Sequence, residues 1–156
     1  MPRNRPGALR AIRAPHGTLS TRPRTTPPPP RVHGLSARTS LAVNRAEADV
    51  LHLRPGSVDR ALRRCEGFLA APGRGPLYPT EAYCASCPGC ALDDVREAMS
   101  LLAQTLAALP PRPRSELARL LAPLRRRYLA RTLPDPFADR TLPWWHRRLA
   151  HGIEGW

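Results

Sequence analysis

The sequence predicts a small all-α domain with a lead helix, a cysteine-bearing loop and an antiparallel helical hairpin, preceded by a disordered N-terminal tail. Three observations support this fold class. Apolar residues recur at helical spacing in three segments after about residue 50. Prolines and helix-capping residues separate those segments. The chain has only two Ile and five Val among its 156 residues, too few β-branched residues for a sizeable sheet.

The N-terminal segment, residues 1–45, is predicted to be disordered. It holds eight prolines and nine arginines, no acidic residue and few large apolar side chains. Burial there cannot offset an ordering entropy of about 1–2 kcal/mol per residue. The helical domain is therefore expected over residues 50–156, with its cysteine cluster at residues 65–90.

The lead helix is expected to begin at a turn after Pro55, with Ser57 as its N-cap. An apolar residue falls on one face in every turn, and a Gly- and Pro-rich stretch over 71–76 ends the helix. The stripe consists of Val58, Ala61, Leu62, Cys65, Phe68 and Leu69. The irregular segment 72–90 follows, and a loop of about 19 residues in a compact domain indicates that something holds it in place.

Two further helices are expected to form the hairpin. Asp93 is predicted to cap the first of them, and Pro110 and Pro111 stop it. Ser115 is predicted to cap the second, with a bend at Pro123. Because the connection is short, the two helices are expected to pack antiparallel.

The net charge of +13 belongs mostly to the tail. All 25 cationic residues are arginines, a bias that GC-rich codons alone explain. Residues 1–45 carry +9, whereas residues 46–156 have 16 arginines against 12 acidic residues. The basic tail predicts weak, salt-sensitive affinity for nucleic acid, with a protein partner as the alternative.

The four cysteines carry the most specific chemistry of the sequence. Cys84, Cys87 and Cys90 form a C-x2-C-x2-C run, and Cys65 lies upstream. One interpretation is a [4Fe–4S] cluster with Cys65 as the fourth ligand, since three closely spaced thiolates can each reach a different iron atom. A second is zinc, because Cys-Pro-Gly-Cys is a good zinc-binding turn. His52 is a candidate for the fourth ligand in place of Cys65.

Two metal-free interpretations stay open as well. Cys65 lies on the apolar stripe of the lead helix, where a cysteine is often a small core residue. Cys90 precedes a helix N-terminus, where the thiol pKa falls, so a redox dithiol is another alternative.

Parts of the sequence resemble known groups of proteins. Cys65, followed by Cys84 and Cys87 within Ala-Ser-Cys-Pro, resembles the WhiB-type iron–sulfur regulators of actinomycetes. That family has a longer interval between its last two cysteines and a Gly-Trp-Gly-Gly turn after them, both absent here. The resemblance implies a cluster and a regulatory role.

The second resemblance covers the stretch from Cys84 to Arg148. Its Leu-Pro-Pro-Arg, Arg-Thr-Leu-Pro-Asp-Pro-Phe and Pro-Trp-Trp-His-Arg-Arg segments resemble those of short, arginine-rich, uncharacterised proteins of high-GC actinomycetes. This second resemblance implies no activity.

Two candidate partner-binding groups lie near the C-terminus. Trp144 and Trp145 could form an exposed binding patch, or they could pack against the hairpin. Arg125, Arg126 and Arg127 could contact phosphates, or they could be a solvated helix end suited to the helix dipole.

These observations together favour a non-enzymatic, metal- or cluster-stabilised protein that binds a macromolecule, with a role in regulation. A redox or electron-transfer protein and a metal-free structural interaction module are the alternatives. No apolar run reaches the roughly 18–20 residues of a membrane span, and no secretory signal is recognised, so a cytoplasmic location without membrane contact is expected.

Overall fold

The computed structural model describes residues 30–51, 53–84 and 86–151. Within these ranges it has five helices, and extended pairing is confined to two isolated bridges, Thr80 with His151 and Pro134 with Arg148. The predicted all-α class is confirmed. The helices are α1 (Ala37–Asp49), α2 (Ser57–Leu69), α3 (Pro88–Ala91), α4 (Val95–Ala108) and α5 (Pro111–Arg131).

Helix α1 corrects the predicted extent of the tail. The sequence composition predicts that residues 30–45 belong to the disordered tail, yet most of them form α1 and the turn that leads into it. Val32, Leu35 and Val43 are buried and belong to the hydrophobic core. Within α1 itself the buried apolar residues are Val43 and Ala46, and the helix packs against α2, α4 and α5. The earlier part of the predicted tail, residues 1–29, lies outside the described residues.

Helix α2 has the predicted bounds but a different cap. Its N-cap is Gly56, with φ +91° and no side chain to accept a hydrogen bond, rather than Ser57. The carboxylate of Glu47 on α1 accepts the backbone N–H groups of Gly56 at 2.9 Å and Val58 at 2.6 Å. An acidic side chain from another helix thus satisfies N–H groups that the start of α2 leaves without partners.

The hairpin helices are present with shifted starts. Asp94, not Asp93, caps α4 and accepts the N–H of Arg96 at 2.8 Å. Helix α5 begins at Pro111, four residues before the predicted cap at Ser115, because proline suits the first turn of a helix. The bend expected inside α5 and the antiparallel packing of the pair stay predictions.

The core lies where α2 packs along α4, with α1 and α5 closing it. Its largest fully buried side chains are mainly leucines, joined by Tyr128, which is 1% exposed. In the described ranges, no helix combines the length and apolar character that crossing a membrane requires.

After α5 the chain runs back along the cysteine-bearing loop. The N–H of His151 donates to the carbonyl of Pro79 at 2.8 Å, and the N–H of Leu77 donates to the carbonyl of Arg131 at 2.6 Å. Arg96 also pairs with Glu81 at 3.5 Å. The first half of the loop is therefore held by protein contacts, which weakens loop length as an argument for a bound metal.

Candidate metal centre

The second half of the loop forms the tight turn that carries the cysteines. Cys87 is the N-cap of α3, and its sulfur accepts the backbone N–H of Cys90 at 3.1 Å. Pro88 occupies the first helical position, where its fixed φ favours the turn. The Cys-Pro-Gly-Cys sequence thereby folds its two thiols toward each other.

Three of the four predicted ligands converge. The Sγ atoms of Cys84, Cys87 and Cys90 all lie within 4.8 Å of one another, and the three side chains are half-buried. Each is a free thiol. Thiolates are the preferred ligands of zinc, copper(I) and iron–sulfur centres, so this group can hold a metal.

The thiols of the group perturb one another's ionisation. The hydrogen bond from the thiol of Cys90, together with that from its N–H, lowers the pKa of Cys87. The same thiol–thiol bond raises the pKa of Cys90 to about 11, because its proton is held between the two sulfurs. Cys87 is therefore the first of this pair to become a thiolate, the form that binds metal.

The structure does not bring Cys65 to the other three cysteines. Cys65 is only 4% exposed and belongs to the hydrophobic core. It lines a small cavity of about 20 Å³ together with Met99, Leu102 and Tyr128. Burial raises the pKa of its thiol to about 12, which disfavours the thiolate. Its place on the apolar stripe of α2 explains the position, since that face packs on α4.

A cationic cleft adjoins the candidate site. It has a volume of about 510 Å³, and Cys87, Gly89, Arg54 and Arg60 are among its lining residues. A guanidinium nitrogen of Arg60 also lies 2.8 Å from Asp93. Three thiolates around a divalent ion would carry one negative charge, which neighbouring arginines would help to balance. No sequence pattern indicates the contact between Arg60 and Asp93, because it joins residues that are far apart in the chain.

Comparison of the chain with family models, curated proteins and solved structures finds no match. The resemblances to WhiB-type regulators and to short actinomycete proteins therefore stay predictions.

The two tryptophans pack against the core instead of forming an open patch. The indole N–H of Trp145 donates to the hydroxyl of Ser100 at 3.0 Å. Trp144 stands edge-on between Tyr128 and Trp145, with ring centroids 5.9 Å and 5.5 Å away. Both indoles are half-buried. This arrangement favours the packing interpretation of the pair.

The arginine triplet of α5 does not share one surface. Arg125 lines the small cavity beside Cys65. Arg127 donates to the carbonyl of Leu69 at 3.1 Å and so ties α5 to the end of α2. Arg126 is exposed to solvent. A phosphate-binding role for all three together has no common face to support it.

Proposed function

We propose that this is a non-enzymatic, metal-stabilised small protein that binds a macromolecular partner, and that Cys84, Cys87 and Cys90 hold one zinc ion. The convergence of their sulfurs within 4.8 Å carries the proposal. Tetrahedral zinc with Zn–S bonds of about 2.3 Å places its sulfurs roughly 3.8 Å apart. The metal-free arrangement is already close to that spacing.

A single ion suits this spacing better than a four-iron cluster does. In such a cluster each cysteine binds a different iron atom, so the sulfurs lie farther apart than on one ion. The three thiols, which lie within 4.8 Å of one another, would have to move apart to receive it. Zinc requires that the three thiols lose their protons and that a fourth ligand completes the site.

The role proposed for the ion is structural. Sites rich in cysteine are typical of structural zinc, which contributes directly to folding. Among the residues from Cys84 to Ala91 whose burial the structure describes, none belongs to the buried core, so an ion would fix a segment that has few core contacts. Water, or His52, which lies outside the described residues, would complete the tetrahedron.

Elemental analysis of the full chain tests this proposal. Protein purified under anaerobic conditions is expected to contain one zinc per chain and no iron. Cys87→Ser should lose the ion, whereas Cys65→Ala should keep it. A brown protein that contains iron would overturn the zinc assignment in favour of an iron–sulfur cluster.

One observation favours a metal-free interaction module as the second candidate. The core formed by α1, α2, α4 and α5 is closed without the cysteine turn, as the full burial of Leu62 and Leu117 illustrates. Under this alternative, a chelator would change neither the melting temperature nor the exposure of the thiols. Under the zinc proposal, both should change.

The proposal also includes an acidic partner and a cytoplasmic location. Four unpaired thiols suit a reducing compartment, which supports a cytoplasmic location. The net charge of +13 favours acidic partners, including nucleic acid through the basic tail. Steep salt dependence of binding to a duplex, lost when residues 1–29 are removed, is expected for the tail.

A further inference from the structure

A groove separates the exposed face of α1 from the start of α5. Its volume is about 590 Å³. One wall is a single stripe of α1 with an arginine at each end and two apolar residues between them. The other wall is the proline-rich first turn of α5. The lining residues are Arg38, Leu41, Ala42, Arg45, Pro110, Pro111, Arg112 and Pro113.

The groove combines an apolar floor with a cationic rim. Leu41 is a large apolar side chain of the groove that stays 40% exposed to solvent. Arg38, Arg45 and Arg112 are exposed, and no acidic residue is among the lining side chains. The carboxylate of Glu116, one turn along α5, accepts hydrogen bonds from Ser36 and Thr39, and within the described residues it forms no ion pair with these arginines.

The spacing of the groups on α1 matches a helical ligand. Arg38 and Arg45 are seven residues apart, which places them on one face at a separation of about 10.5 Å along the helix axis. Leu41 lies between them on the same face. A partner helix with acidic residues two turns apart and an apolar residue between them presents the complementary pattern.

We propose that this groove docks an acidic amphipathic helix of a partner protein. Carboxylates would pair with Arg38, Arg45 and Arg112, and apolar side chains would cover Leu41 and the proline wall. This inference specifies the class of partner for the function proposed above. It depends on that proposal only because it assumes that the protein has a macromolecular partner. The metal site is not needed for it.

Other occupants fit less well. The segment 1–29 carries six arginines and no acidic residue, so charge repels it from the groove. A second copy of this chain, at +13, is repelled in the same way. Nucleic acid would meet the arginines, but no aromatic side chain lines the groove to stack a base.

Fluorescence anisotropy with the full chain tests the proposal. The probe is a labelled helical peptide with glutamates two turns apart and leucines between them. The control peptide has the same composition in scrambled order. Replacing Arg38, Arg45 and Arg112 together by Gln should weaken binding roughly tenfold or more, since each exposed ion pair adds only modestly. Leu41→Gln should weaken it severalfold through the lost apolar contact.

The matched control is Arg74→Gln, an exposed arginine on the turn after α2 and outside the groove. It should leave the affinity within about twofold of wild type. Equal binding of the scrambled peptide, or an unchanged affinity of the triple variant, would overturn the inference. So would tighter binding of a DNA duplex through the same three arginines, which would make the groove a nucleic-acid surface.

Zinc content measured on the same samples separates this inference from the metal proposal. The groove variants should keep the wild-type metal content, and Cys87→Ser should lose metal while still binding the peptide. Peptide binding by a chain that never contains metal would support the groove and overturn the zinc site. A zinc-loaded chain that does not bind the peptide would overturn the groove alone.

Discussion

The carboxylate of Glu47 accepts the backbone N–H of Val58 at a distance of 2.6 Å, and both residues are fully shielded from solvent. A second oxygen of the same carboxylate accepts the N–H of Gly56. Gly56 offers no side chain to cap α2, so the cap comes from α1. This contact joins the two helices and places a negative charge at the positive end of the α2 dipole.

Removing this carboxylate is expected to destabilise the fold strongly. Glu47→Ala would leave two backbone N–H groups without partners in the interior and should lower the free energy of unfolding by about 3 kcal/mol. Glu47→Gln should cost less, because an amide oxygen still accepts one bond. Urea unfolding followed by circular dichroism measures both. Asp49→Asn, at an exposed end of α1, is the control and should stay within about 0.5 kcal/mol of wild type. Equal stability of Glu47→Ala and Asp49→Asn would show that the cap contributes nothing.

Two truncations should show how much the tail and α1 each contribute to the stability of the fold. Removing residues 1–29 is expected to leave the melting temperature nearly unchanged, because their sequence has few large apolar residues. Removing residues 1–45 should lower it steeply or prevent folding, since Val32, Leu35 and Val43 are buried and each contributes about 1.5–3 kcal/mol. Calorimetry of the two truncated proteins and of the full chain gives the comparison. A small change in the longer truncation would mean that α1 adds little to the core.

Sequence periodicity identified α2 and α4 but not α1, and the reason is visible in their buried faces. The buried side of α2 is apolar, with Val58, Leu62 and Leu69 among its residues. The buried side of α1 holds mostly polar or small residues. Its members are Thr39, Ser40, Val43, Asn44, Ala46 and Glu47. Partners for such polar groups come from distant residues, so a hydrophobic pattern does not reveal them.

The cysteine site likewise has one part that the sequence predicts and one part that depends on tertiary packing. The grouping of Cys84, Cys87 and Cys90 follows from local spacing, which a tight turn converts directly into proximity. The position of Cys65 depends on how α2 packs against α4, a tertiary relationship that its sequence position leaves open. Both the ligand and the core interpretations were consistent with the stripe. Packing decides for the core.

The stability contributed by the contact between the start of α1 and Glu116 on α5 is expected to depend on pH. The hydroxyl of Thr39, together with the N–H and hydroxyl of Ser36, donates to the carboxylate of Glu116. These bonds, that from Thr39 first, lower the pKa of Glu116. The folded state therefore holds this proton less tightly than the unfolded chain does. The stabilising contribution is complete above the ordinary glutamate pKa and is lost as the pH falls through the lowered value.

Stability measured between about pH 6 and pH 3 tests the link, because carboxylates of ordinary pKa titrate in this range. Glu116→Gln should make the loss of stability in acid shallower than in wild type. Carboxyl chemical shifts followed by NMR should place the midpoint of Glu116 below that of an unstructured glutamate. An ordinary midpoint, or identical pH profiles, would argue against the link. Asp93→Asn, which removes an exposed carboxylate from a different surface, serves as the matched control.

The cysteines allow the sharpest test of the site, because one of the four is placed apart from the others. Each of Cys84→Ser, Cys87→Ser and Cys90→Ser should lose bound metal, since two sulfurs hold an ion far less tightly than three. Each should also speed proteolysis of the cysteine-bearing loop, because metal binding stabilises only the folded turn.

Cys65→Ser should behave in the opposite way. Its metal content should match wild type, while the free energy of unfolding should fall by about 1–3 kcal/mol as a hydroxyl enters an apolar site. Cys65→Ala, which buries no polar atom, should cost less than Cys65→Ser and likewise keep the metal. Elemental analysis and urea unfolding on the same four purified serine variants give both quantities. Metal lost from Cys65→Ser as fully as from Cys87→Ser would show that the loaded protein draws Cys65 out of the core. Unchanged metal in all three loop variants would remove the site altogether, leaving the helical core as the whole basis of the fold.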